Sequence, residues 1–176
     1  MKSLFIIGGD YVDQSIANNL CSILAQGTGE ATTKDNQLRV HALKTFHPAL
    51  SIPKCPPLLM EVTFWIIGEY SHLSSSLSTA ELIIEISAFL EQSCSFYSGR
   101  VRDVAITALW KLLARDSSLI EDVLEVLKEI RHCKSFITQQ IVYESLVLLK
   151  DTRLLQQCVF PEGEMENCEV SMLCKI

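Results

Sequence analysis

Histidine and cysteine are the side chains best able to do chemistry in this chain of 176 residues. His132 and Cys133 adjoin, and an imidazole beside a thiol can generate a thiolate nucleophile. On a helix, however, neighbouring residues point about 100° apart, so these two cannot readily share a hydrogen bond. A helix C-terminus, which attracts a cation, accounts for His132 more simply. His41 and His47 stand six apart, off the spacing that puts two metal ligands on one helical face. Cysteines fall at Cys21, Cys55, Cys94, Cys133, Cys158, Cys168 and Cys174, an odd number with neither CxxC nor His/Cys ligand spacing. They read as reduced thiols of a cytosolic protein. No catalytic residue, metal ligand or cofactor-binding residue is expected, and the chain does not read as an enzyme.

Charge and hydropathy exclude further classes. Gly8-Gly9-Asp10 could let backbone amides approach an anion, but no GxxxxGK[ST] follows and no βαβ context surrounds it. It reads as a turn before a helix opened by Asp13. The net charge is −6, from 15 basic and 21 acidic side chains spread along the chain, so no concentrated field would hold a nucleic acid. Lys34, Arg39, Lys44 and Lys54 would make a lipid-headgroup patch only if they converged, and their spacing favours a solvated helix face. Apolar runs such as Leu4 to Ile7 and Leu146 to Leu149 fall far short of the roughly 20 residues of a bilayer-spanning helix. Membrane contact is therefore expected to be peripheral, and the first residues do not read as a secretory signal.

With chemistry set aside, the regular spacing of helices carries the reading. Start signals occur near Asp13, Asp35, Pro57, Ser78, Gly99, Ser118 and Ser135, each leading an apolar-periodic stretch. Two neighbouring segments span about 35 to 45 residues, the period of HEAT and armadillo repeats, and no strand-like alternation competes. Val101, Val104, Ala105, Ala108, Leu109, Leu112 and Leu113 share one face, with Arg102, Asp103 and Lys111 on others. Ser118-Leu119-Ile120-Glu121 and Ser78-Thr79-Ala80-Glu81 both have the capping-box pattern. The predicted fold is all-α, a HEAT/armadillo-like αα-superhelix over residues 1–160. Pro161 to Ile176 loses the periodicity, turns acidic and reads as a poorly ordered tail.

One helix stands apart. Pro57 suits a first helical position, where its missing N–H would have no partner anyway. From Leu58 to Tyr70 apolar residues then occupy nearly every face, so this helix is expected in the inner layer with neighbours on both sides. The prolines between Thr45 and Pro57 should end the preceding helix early and make that connection irregular. Leu4 to Ile7 and Val147 to Leu149 look like surfaces meant for a neighbour.

Trp65-Ile66-Ile67-Gly68-Glu69-Tyr70 resembles the Trp-x-Ile/Leu-Gly-Glu-Tyr signature in the trunks of the large adaptin subunits of adaptor protein complexes. Gly8-Gly9-Asp10, Asn18-Asn19-Leu20, Asp35-Asn36-Gln37-Leu38-Arg39-Val40 and Gly68-Glu69-Tyr70-Ser71-His72-Leu73 follow the order and approximate spacing of the epsilon-type subunits of the fourth adaptor complex. The resemblance covers roughly residues 4 to 150 and is to a late piece of the trunk. It implies an α-solenoid, in agreement with the periodicity. It further implies a scaffold in a cytosolic vesicle coat that sorts cargo at the trans-Golgi network. The implied partners are a second large, a medium and a small subunit, with membrane association through the complex.

For Trp65, Gly68, Glu69 and Tyr70 the expected role is structural. Trp65 and Tyr70 would be buried with their polar atoms satisfied, Gly68 would be a close-packing point or a weak position near a helix end, and Glu69 would pair with a neighbouring helix. The alternative is an unrelated HEAT or armadillo interaction module, with the same fold and different partners.

Overall fold

The computed structural model describes residues 1–29, 32–92 and 97–160. Its helices are α1 (Lys2–Gly8), α2 (Gln14–Gln26), α3 (Thr32–Phe46), α4 (Pro57–Tyr70), α5 (Thr79–Gln92), α6 (Gly99–Leu113), α7 (Ile120–Ile130), α8 (Phe136–Leu148) and α9 (Thr152–Val159). Single 3-10 segments occupy Gly9–Tyr11, His47–Ser51, Ser71–Leu73 and Ser117–Leu119. There is no strand among the described residues. The tail expected over 161–176 lies outside the described residues, as do Cys94, Cys168 and Cys174.

Helices α4, α6 and α8 stack side by side in one layer, and α5 and α7 form the second, each also packing on its successor in sequence. α3 covers α4 before this point, while α1 and α2 close on α4 as well. The stacked helices α4, α6 and α8 open at residues 57, 99 and 136, about 40 residues apart, the interval of an α-solenoid repeat. No described helix is long and apolar enough to cross a membrane.

α4 is buried from Leu59 to Tyr70 except at Glu61 and Glu69. Phe64, Ile66 and Ile67 are wholly covered. The reason is position: α6 and α3 lie against different sides of it and α1 and α2 against more. α6 is likewise enclosed between α4, α5 and α8, and here the structure corrects the single-stripe expectation. The seven stripe residues are buried, but so are Ile106 and Arg102, and Asp103 accepts a 2.6 Å hydrogen bond from the Thr138 hydroxyl of α8.

Local signals set several helix starts. The Asp13 carboxylate accepts from the Ser15 amide at 2.8 Å, Pro57 opens α4, and the Ser135 hydroxyl accepts from the Thr138 amide at 3.3 Å. The capping box at Ser118 and Glu121 does not form. Asp116, two residues earlier, accepts from the Ser118 amide at 3.0 Å and starts a 3-10 turn, so α7 begins only at Ile120 with no side-chain cap. Near Asp35 the helix begins earlier than expected, at Thr32. The proline-rich connection behaves as expected: α3 stops at Phe46, a 3-10 segment holds Pro48, and Lys54 takes φ +52°, a left-handed conformation unusual for a side-chain-bearing residue.

The apolar ends divide. Phe5 is buried, edge-on to Phe46 at 6.4 Å between ring centroids, and Leu149 is buried too, whereas Leu4, Ile6, Ile7 and Val147 remain exposed.

Candidate functional site

The C-terminal half of α4 crosses α6 at Gly68. A Cβ placed on that glycine would stand 3.1 Å from the Ala108 Cα and 3.2 Å from its Cβ, so any side chain there would require the two backbones to separate by a few tenths of an ångström. One residue on, the Glu69 carboxylate is paired with the Lys111 ammonium, both side chains largely buried. The Arg115 guanidinium reaches back from the end of α6 and donates to the Gly68 carbonyl at 3.0 Å, satisfying an acceptor in the last turn of α4.

Tyr70 and Trp65 lie edge to face with centroids 5.6 Å apart, a favoured aromatic geometry. Above the Tyr70 ring, 5.3 Å from its centroid, sits the Arg39 guanidinium of α3. The same guanidinium donates to the Leu24 and Ala25 carbonyls at the end of α2, at 3.0 and 2.8 Å, and to Asn36 Oδ1 at 3.1 Å. Arg39 thus caps α2, braces α3 and stacks on α4 with one planar group. It is not a free member of any lipid-headgroup patch. Asp35 completes the corner: its carboxylate accepts from the Thr28 amide at 2.7 Å and the Thr28 hydroxyl at 2.8 Å. Those bonds favour the ionised carboxylate and hold its pKa below the usual value. Gly27, at φ +69°, has no room for a Cβ beside that carboxylate.

Residues from separate parts of the sequence therefore converge. Arg39, braced by Asn36, meets the Tyr70 ring, against which Trp65 lies, and Ala108, Lys111 and Arg115 of α6 close on Gly68 and Glu69. Sequence reasoning missed those three α6 residues. A small residue facing the glycine, then Lys and Arg at helical spacing after it, was the available signal. It also missed that Trp110 of α6 donates to the Ser145 hydroxyl of α8 at 2.9 Å, repeating between α6 and α8 the kind of tie made between α4 and α6.

Electrostatics at the hub follow from crowding. The His72 imidazole, just past α4, is held below its ordinary value, first by loss of water around it and then by the Arg115 charge, with Glu69 opposing. Glu61, on α4 facing Arg100 of α6 at 3.0 Å, is pushed above its usual range because desolvation outweighs that cation.

The reactive side chains are engaged elsewhere. His132 Nε2 accepts from the Arg131 side chain at 2.9 Å, just past the end of α7. The Cys133 thiol is directed to the Ser135 carbonyl at 3.5 Å. His47 Nε2 meets Glu85 at 2.8 Å. His41 lies in an open groove of about 510 Å³ with Lys44, Val40 and Leu73. Cys55 is buried, which pushes its thiol up to about 11 and away from nucleophilic use. Among the described residues no three of His, Cys, Asp and Glu gather as a metal site would require. What the hub can do is hold α2, α3, α4 and α6 at fixed angles.

Two layers of stacked helices with a polar and aromatic tie across consecutive repeats define an α-solenoid scaffold. The chain is similar over nearly its whole length to epsilon subunits of an adaptor complex. It is 29% identical over 180 residues to "AP-4 complex subunit epsilon" of Arabidopsis thaliana, which covers 97% of this chain and 19% of that protein. Against "AP-4 complex subunit epsilon-1" of Mus musculus the figures are 27% over 173 residues, 96% of this chain and 15% of the relative. The Homo sapiens protein of the same name is 29% identical over 120 residues, 67% of this chain and 10% of that one. The chain thus spans a fifth or less of the length of these relatives. No family model matches it, and no solved structure matches it.

Proposed function

We propose that this chain serves as a stretch of scaffold in an adaptor protein coat complex, of the epsilon type. It would hold neighbouring subunits in place while membrane cargo is sorted at the trans-Golgi network. The observation that supports this most is the hub itself: Trp65, Gly68, Glu69 and Tyr70, a structural family signature in this reading, are joined through the Tyr70 ring to Arg39 of the Asp35 to Val40 stretch. Those are the stretches in which the chain resembles the large adaptins. Residues 1–160 form one trunk-like solenoid in this reading. Its partners are a second large, a medium and a small subunit, and it reaches membranes peripherally, from the cytoplasmic side, through them. It performs no chemistry: rigidity comes from α4 and α6, and contact surface from the outer helices and connections.

Affinity purification of tagged chain from its native cells, followed by mass spectrometry, tests this. Recovery of the medium, small and second large subunits of one adaptor complex is the expected result. Recovery of none, with circular dichroism showing an intact helical fold, would leave an unrelated HEAT or armadillo module in its place.

A further inference from the structure

We draw no further inference here: the strongest candidate, the open groove of about 510 Å³ that Gln37, Val40, His41 and Lys44 of α3 form with Leu73 of the 3-10 segment after α4, carries nothing because nothing among the described residues shows what covers it.

Discussion

α4 and α8 are both apolar on nearly every side, yet they meet opposite fates. α4 is enclosed by α3 and α6, with α1 and α2 adding cover, and Phe64 at its centre has no exposed surface. α8 is covered by α6, α7 and the short α9, and Phe136 at its start is 77% exposed. Residue composition determines that a helix has surface to hide. Which neighbours arrive determines whether it is hidden. The two phenylalanines thus differ in role: one holds the solenoid together, the other lies on an exposed face.

Substituting each phenylalanine tests that contrast most strongly. Phe64→Ala removes a buried ring that sits 4.8 Å from Phe89 between centroids, and should lower unfolding free energy by about 3–5 kcal/mol. Phe136→Ala should change it by less than about 0.5 kcal/mol. Chemical denaturation of both variants measures the difference, and equal losses would show that the faces are not as distinct as drawn.

A smaller loss is expected at the crossing. Gly68→Leu forces α4 and α6 apart where Ala108 stands against the glycine, and should cost about 2–3 kcal/mol in the same assay. Breaking the largely buried pair with Glu69→Ala leaves the Lys111 ammonium poorly compensated, and should cost about 1–3 kcal/mol. Lys111→Ala together with Glu69→Ala should cost less than the sum of the two singly, and a double-mutant cycle reads that coupling.

The smallest effect concerns pH. Because the folded state holds the His72 imidazole below its ordinary value of 6.5, the unfolded chain takes up the proton first. Above that pH the group contributes nothing, and stability should fall as pH drops through 6.5 toward the lower folded value. His72→Asn should flatten that part of the profile, as thermal melts between neutral and mildly acidic pH would show.

Much of the α4 side of the comparison was legible in the sequence. Pro57 and the apolar run after it require a buried helix, and the recurring starts require stacked neighbours. Asp13 and Ser135 cap as their types predict because each acts on an amide two or three residues away. The signal failed where two local options competed. Asp116 and Ser118 are both good caps, and the earlier one took the amide that decided where α7 begins. α1 and α9 are too short for periodicity to reveal, although Asp151 before Thr152, Leu154 and Leu155 is a start signal in retrospect; its carboxylate accepts from the Arg153 and Leu154 amides. The hub was legible only as separate pieces. Arg39 reaches carbonyls 14 and 15 residues earlier and a ring in α4, and no one-dimensional pattern encodes contacts made by a long polar side chain across helices.

Native-state hydrogen exchange across the whole chain tests the central claim most directly, namely that the α4 and α6 crossing is the rigid centre and α8 a less enclosed edge of the described solenoid. At low concentration, amides of α4 and α6 should exchange slowest, at rates set by global unfolding, with α8 opening more easily. Protection in α8 equal to that in α4, or fast exchange in α4 around Gly68, would contradict the account.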